Sequence, residues 1–532
     1  MPDQPDLSSR ATNACLTCRK QKRKCTKEKP RCSVCRKTGR ACDYTPISRN
    51  SGSAKDAAES SESQGTTGNG PQSPKSAHLT GFESNALKTP TMSGLSTLFL
   101  DSDISPERSY LESNRNIAFP PVYFRYLRGS AQVQHEVDVY FNSVHTFLPI
   151  VSKLRLYQQL SSANRNYDAD LALLLIAMQL HTRPCGDIET SDVDLYRVAK
   201  ACYAYVESSN VFSIKVLQAL LLIALYEISN AIYPAAYLTV GNCARLGHAM
   251  GVHQRSDAPQ MLNRPGTWVE FEERRRTWWA VIILDRYVNL GGRNRPFACE
   301  DAQPEDLLPA DDKSWDRGEV TVVEPLAVRA NTTIHVCPFT RTCQAAHVLA
   351  RVLGHRNDRS SDIDFRHEEA MQLHRTAQAL SHTLSTELEQ WIENDYDPTG
   401  YLPLFSAIGI CYSALLLLYD SYCCIGIKEV GANVQVQQTA LSGLDEVSQA
   451  VYHFAKRIRS SMELGGSLKM SPLILDCLYQ AAANFIWKSR ETGNSAMLQR
   501  ANEVQGVLEV LGMRWKAPQA YLSILKTSGG LC

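Results

Sequence analysis

From about residue 119 to the C-terminus, apolar residues recur at three- and four-residue intervals. Leu171, Leu174, Leu175 and Met178 form one such set, and Leu217, Leu220, Leu221, Ala224 and Leu225 another. That spacing predicts amphipathic or wholly buried helices. Pro149, Pro184, Pro234, Pro265, Pro296, Pro338, Pro398, Pro403 and Pro472 fall between the apolar sets, where helices are expected to begin or end. No strand-length alternation and no internal repeat interrupts the pattern, so residues 119–532 are expected to form a large all-α domain. The stretch Ser48 to His78 is the opposite: it holds no Val, Ile, Leu, Met, Phe, Tyr, Trp or Cys. Such a segment cannot bury enough apolar surface to offset the entropy of ordering it. Residues 47–118 are expected to be a flexible Ser/Gly-rich linker, and residues 1–14 a disordered tail. Nothing in the linker repeats every seven residues, so a coiled coil is not expected there.

Two apolar runs could pass for membrane spans. Val216 to Tyr226 is too short for a bilayer, and Tyr401 to Tyr419 is interrupted by Pro403, Ser406, Gly409, Cys411 and Ser413. Both are expected to be core helices, with no membrane partner. The first ten residues are polar and lack the apolar stretch of a secretory signal, so disulfides are not the default use of the cysteines.

Charge changes the picture. The 532 residues carry 56 Lys+Arg and 55 Asp+Glu, a net of +1. Yet Cys15 to Cys42 contains eleven basic residues and one acid, Glu28, so this short window carries +10 and the rest of the chain −9. The near-neutral total conceals a basic module on a mildly acidic body, the electrostatic footprint of a nucleic-acid binder.

The same window holds six of the 17 cysteines, Cys15, Cys18, Cys25, Cys32, Cys35 and Cys42, spaced C-x2-C-x6-C-x6-C-x2-C-x6-C. The other eleven scatter without repeated spacing and read as ordinary thiols of the body. A C-x2-C pair presents two thiolates to one ion from a single turn. One tetrahedral zinc would strand two of the six. Two zincs need eight ligand positions, which six thiolates fill only if two bridge both ions, and symmetry puts the bridging pair at equivalent places in the two halves. Six thiolates and two Zn²⁺ sum to −2, leaving the module near +8. With only Leu16, Val34, Ala41 and Tyr44 to bury, metal has to supply its folding energy. A disulfide-stapled domain lacks its secretion signal, and histidine-containing zinc modules lack their histidine, since none precedes position 78.

These residues resemble the fungal binuclear zinc cluster transcription factors across the whole of Cys15 to Cys42. The resemblance implies that Cys15 and Cys32 bridge two Zn²⁺ ions, and that residues 15–46 form a DNA-binding module. It also implies that the short helix after Cys18 enters the major groove at CGG-type triplets. Arg19, Lys20, Gln21, Lys22, Arg23, Lys24 and Lys27 are the implied DNA-contacting residues, with Lys22 the main donor to guanine and Lys24 and Lys27 on phosphates. A basic residue is frequent in the family where this chain has Gln21.

A second resemblance covers about residues 130 to 310. Tyr140-Phe141, His145, Leu148-Pro149-Ile150-Val151, Ala244 to His253, and Glu272 to Trp279 leading to Leu284-Asp285-Arg286 look like the fungal-specific transcription factor domain. The family's Gly-Arg-Pro turn is replaced by Gly291-Gly292-Arg293-Asn294-Arg295-Pro296. Together the two resemblances imply a zinc-dependent, sequence-specific regulator of RNA polymerase II genes, of a pathway or gene cluster. They imply a nuclear protein that works on double-stranded DNA with the transcription machinery, and leave a homodimer open.

Other residues read as structural. Glu272 to Leu290 is expected to be one helix, the arginines just before its two tryptophans either packed stems or buried partners of Asp285. His248 and His253, if both helical, point about 140° apart and do not form a metal pair. Glu387 to Asp397 mixes acids with Leu388, Trp391 and Ile392, and reads as one helical face rather than an activation segment. Cys423-Cys424 reads as core. No nucleophile elbow, phosphate loop, dinucleotide fingerprint or H-E-x-x-H pair is present, so no enzyme is expected.

Overall fold

A computed structural model describes residues 11–44 apart from 12 and 21–23, residue 99, and 120–528 apart from 128, 163–166, 183–190, 254–260, 293, 321–325, 331–333, 359–360, 395–396, 398 and 424–433. The chain divides into two compact units, Met1–Ala86 and Leu87–Cys532. Apart from Phe99, the expected linker 47–118 lies outside the described residues.

The second unit is helical. Among its described residues the β-type pairing is one isolated bridge, Leu307 to Ala327. Ile214–Ser229 starts where the Ser213 hydroxyl accepts the Val216 N–H at 3.4 Å, a cap that satisfies one of the helix's orphan donors. Every residue from Val216 to Leu225 is buried, so this stretch of the helix turns no side to solvent. It packs on Ala169–Thr182, Ala235–Met250 and Trp268–Tyr287. Leu404–Cys423 plays the same part in the C-terminal half, against Pro338–Asn357, Ile363–Asn394, Val434–Glu463 and Leu475–Thr492. Its apolar window would suit a bilayer by length and composition, but 89% of it is buried within the protein. Both apolar runs are therefore core helices. The approach to Val434–Glu463 depends on Gly443, where a Cβ would lie 2.4 Å from the Tyr419 ring.

Trp268–Tyr287 joins the two halves, since it contacts Ala235–Met250 and Ile214–Ser229 on one side and Pro338–Asn357 on the other. Thr267 caps its start through the Glu270 N–H at 3.2 Å. The helix buries Glu272, Glu273, Arg275, Arg276, Asp285 and Arg286, which is costly unless each charge is paired and hydrogen-bonded. Glu272 accepts from Arg276 Nε at 3.0 Å, Arg275 Nη1 at 2.6 Å and the Ala310 N–H at 2.7 Å. Arg276 also donates to Asp312 at 2.6 Å and the Ala310 carbonyl at 2.7 Å, and lies 4.3 Å over Trp315. Burial alone would lower the Arg276 pKa, but Asp312 and Glu272 hold it above the ordinary arginine value. Of the two alternatives for these arginines, the stem packed on an aromatic ring is seen at Arg276 and the pairing with Asp285 is not. Asp285 is held instead by Arg286 and by the N–H groups of Ala298 and Cys299, because the chain after the helix folds back over its C-terminal end.

The two histidines also depart from the helical expectation. Ala235–Met250 stops at Gly251, which caps it in the left-handed region at φ 73°, so His253 is not on the helix. The chain folds back and brings the His248 and His253 rings to 4.8 Å, both against Trp278. Glu387 and Leu388 are buried in Ile363–Asn394, with Glu387 on Arg341 Nε at 2.9 Å, as a structural helix requires. Ile392 is exposed all the same. Cys423 is half-buried, and Cys424 lies outside the described residues.

Arg276→Met should take one of two guanidinium partners from the fully buried Glu272 carboxylate and the Arg276 donors from Asp312 and the Ala310 carbonyl, at a cost of about 1.5–3 kcal/mol. Arg317→Ala, which breaks an exposed pair with Glu319, should stay within about 0.5 kcal/mol. Urea denaturation followed by tryptophan fluorescence checks both; equal midpoints for the two variants would contradict the burial argument.

Candidate metal centre and nucleic-acid interface

The N-terminal module is built from one device used twice. Cys15 precedes the short helix Leu16–Lys20 and its Sγ accepts the Cys18 N–H at 3.4 Å. Cys32 precedes Ser33–Lys37 and its Sγ accepts the Cys35 N–H at 3.4 Å. In each half the first cysteine thus does the work of a capping serine or aspartate, and the second lies one turn later on the same side. The second helix ends in a turn at Gly39, φ 65°, with Arg40 N–H on the Cys35 carbonyl at 3.1 Å.

Backbone ties hold the halves together. Leu16 N–H donates to Asp43 O at 2.8 Å and Thr17 Oγ1 to Ala41 O at 2.6 Å, fixing the first helix to the chain around Cys42. Ser33 N–H donates to Thr26 Oγ1 at 2.9 Å, fixing the second helix to the chain after Cys25. Ala11 N–H, in the segment expected as a tail, reaches Lys27 O at 2.8 Å. Of the apolar side chains, Leu16, Val34 and Tyr44 are only half-buried. What lies at the centre is sulfur: Cys15, Cys18, Cys32 and Cys35 are at most 2% exposed.

Those four sulfurs lie within 4.8 Å of one another. Cys15 to Cys32 is 3.8 Å, Cys15 to Cys35 3.7 Å, Cys18 to Cys32 3.6 Å and Cys18 to Cys35 3.8 Å. A tetrahedral zinc with bonds of about 2.3 Å spaces its sulfur ligands by about 3.8 Å, so the donor set fits the ion. Cys25 and Cys42 flank the group. Cys42 Sγ accepts the Cys32 N–H at 3.3 Å, Cys25 Sγ is 3.9 Å from the Tyr44 hydroxyl, and both sulfurs interact with that of Cys32. Tyr44 in turn donates to the Glu28 carbonyl at 2.9 Å. Its part in orienting Cys25 is not visible in the spacing of the cysteines, although its place two residues after the last one is a signal that could have been used.

The crowded thiols are not equivalent. Burial pushes Cys35 up to about 12 and Cys18 above the ordinary thiol value, both reinforced by neighbouring sulfurs. Burial also acts to raise Cys32, but the Cys35 N–H and the surrounding thiols bring it below that value. Burial raises Cys15 as well, so metal uptake must displace protons from Cys15, Cys18 and Cys35.

The charged residues divide cleanly from this centre. Lys24, Lys27, Lys29, Arg31, Arg36, Lys37 and Arg40 are all exposed, and Arg36 comes within 3.9 Å of the acid Glu28. Arg19 and Lys20 lie on the Leu16–Lys20 helix. Gln21 and Lys22, where base reading is expected, and Arg23, an implied DNA contact, lie outside the described residues. The six-cysteine module therefore presents cations outward around a sulfur interior, the arrangement a phosphate backbone attracts.

Comparison with known proteins agrees. Residues 13–51 match the fungal Zn(2)-Cys(6) binuclear cluster domain, which binds two zinc ions, and residues 137–393 match the fungal specific transcription factor domain. The transcription factor BOA15 of Botryotinia fuckeliana is 37% identical over 182 residues, which are 34% of this chain and 99% of that protein. The citrinin biosynthesis transcriptional activator mrl3 of Monascus ruber is 25% identical over 381 residues, 65% of this chain and 73% of that protein. The transcription factor tazR of Aspergillus terreus is 27% identical over 225 residues, only 35% of its own length. With a six-cysteine metal module followed by a helical regulatory domain, each matched by its family, the chain belongs to the fungal Zn(2)-Cys(6) binuclear cluster transcription factors, zinc-containing DNA-binding proteins and not enzymes.

Proposed function

We propose that this protein is a nuclear, pathway-specific regulator of RNA polymerase II genes that reads CGG-type triplets through residues 19–24. The observation that carries this reading is a sulfur-lined interior with Lys24, Lys27, Lys29, Arg31, Arg36, Lys37 and Arg40 exposed around it. Residues 15–46 are assigned to DNA reading and 119–532 to regulation. Relatives named as a citrinin biosynthesis transcriptional activator and an azaphilone cluster-specific transcription factor support a pathway-level role. Cys15 and Cys32 are assigned as the bridging pair because they hold the equivalent capping place in the two halves, which each ion can share. Zinc supplies positive charge and folding energy. The chain's own residues supply the rest: the N–H groups of Cys18, Cys35 and Cys32 orient sulfur lone pairs, and Lys24 and Lys27 sit where phosphate can be gripped. Pairing as a homodimer on two triplets, in contact with the transcription machinery, completes the proposal.

DNA selection with the zinc-loaded full chain should enrich a CGG-containing site; enrichment of unrelated sequences would overturn the triplet assignment.

Zinc analysis should find two ions per chain, and Cys32→Ser should remove both together with DNA binding. Because protons compete for the thiolates that zinc holds, the metal-bound state is favoured at high pH and is lost as pH falls. Zinc retention measured across that range checks the sign.

Lys22→Ala should weaken binding to the selected site by about 1–3 kcal/mol and relax preference at one base. An equal loss on all sequences would sink the base-reading role.

Lys24→Ala and Lys27→Ala should instead weaken all DNA alike. Each should flatten the salt dependence by about one log-log unit, read from binding isotherms at several salt concentrations.

A further inference from the structure

The turn between Cys25 and Cys32 contains a strained residue. Lys27 lies in the left-handed region at φ 61°, although lysine is not one of the side chains that enter that region readily. Such a conformation persists only where the surroundings over-determine it, and an outlier of this kind is a pointer to function.

The surroundings of Lys27 do so. Thr26 Oγ1 accepts the Ser33 N–H at 2.9 Å, the Lys27 carbonyl accepts the Ala11 N–H at 2.8 Å, and the Glu28 carbonyl accepts the Tyr44 hydroxyl at 2.9 Å. Residues 26, 27 and 28 are thus each tied to a different segment of the module, while Lys27 itself is exposed. The sulfur cluster has no use for a lysine here, since a glycine would make the same turn without strain.

Tyr44 links this turn to the first helix. Its ring is half-buried against the sulfur cluster. The chain just before it is fixed to Leu16–Lys20 by the Leu16 N–H on the Asp43 carbonyl at 2.8 Å and by Thr17 Oγ1 on the Ala41 carbonyl at 2.6 Å. A path of hydrogen bonds therefore runs from that helix through residues 41–44 to the Glu28 carbonyl, beside Lys27.

We propose that Tyr44 is a positioning residue for DNA binding: its hydroxyl holds the strained turn so that the Lys27 ammonium meets a phosphate in register with the first helix. The proposal rests on the assignment of Lys27 to phosphate.

A double-mutant cycle on the zinc-loaded full chain tests it, with a duplex lacking any CGG triplet as the probe, so that base reading plays no part. Tyr44→Phe keeps the ring and removes the hydroxyl. It should weaken binding about two- to ten-fold, the worth of one hydrogen bond, and flatten the salt dependence by up to about one log-log unit. In a Lys27→Ala background the same change should have no further effect, because no ammonium is left to position. A residue that only supported the fold would weaken binding equally in both backgrounds. Lys27→Gly should retain zinc better than Lys27→Ala in competition with a chelator, because only the glycine suits the backbone, while the two bind DNA equally weakly.

Equal effects of Tyr44→Phe in the two backgrounds would overturn the proposal. So would zinc loss from Tyr44→Phe, which would make the hydroxyl a support of the metal site, or poorer zinc retention by Lys27→Gly than by Lys27→Ala. A loss from Lys27→Ala with none from Tyr44→Phe would overturn the positioning role alone. Unchanged binding by Lys27→Ala would overturn the phosphate assignment and the positioning role with it.

Discussion

The helical body depends on how it accommodates two neighbouring carboxylates. Glu272 and Glu273 are adjacent on one helix, so they point to different sides, and both are buried. A buried charge is tolerated only with full pairing, and each finds its partners in a different part of the chain. Glu272 recruits Arg275 and Arg276 from its own helix and the Ala310 N–H from the loop beyond it. Glu273 recruits the Ser152 N–H, Gln218 and Arg155 from the N-terminal helices. Hydrophobic burial would hold these helices together in many registers. The carboxylates allow one.

The zinc module meets the same constraint with a different partner. Its interior is thiolate in place of carboxylate, and the compensating charge is metal in place of arginine, which frees the module's own cations to face outward. That division explains why a net charge of +1 for the chain says so little. In the body, arginines are spent inside on Glu272, Asp285 and Glu387, whereas in the module Lys24, Lys27, Lys29, Arg31, Arg36, Lys37 and Arg40 are all exposed.

The legibility of these features in the sequence follows their range. The cysteine set, the helical class of the body and the two core helices rest on spacing within one segment, and spacing is what a sequence displays. The His248 and His253 contact was missed because periodicity was carried one turn too far, past Gly251, whose left-handed conformation ends the helix and reverses the chain. The partner of Asp285 was missed for another reason. It is held by N–H groups of Ala298 and Cys299 and by Arg286, and hydrogen bonds from a returning loop leave no trace in side-chain pattern. Arg276 shows the same limit, since two of its partners, Asp312 and the Ala310 carbonyl, lie more than thirty residues on.

The two halves of the module show how a DNA reader can be made from a symmetric metal site. Each has a cysteine cap, a second cysteine three residues on, and an Arg-Lys pair directly after it: Arg19-Lys20 in the first half, Arg36-Lys37 in the second. Four residues after the second cysteine the halves differ. The second half has Gly39, with φ 65°, a conformation that costs a glycine little and most side chains more. The first half has Lys22 at the corresponding place. Metal geometry treats the halves alike, so the difference at this position is not required by the cluster. A side chain kept where the matching half has none is the asymmetry that base reading, and not metal binding, would select.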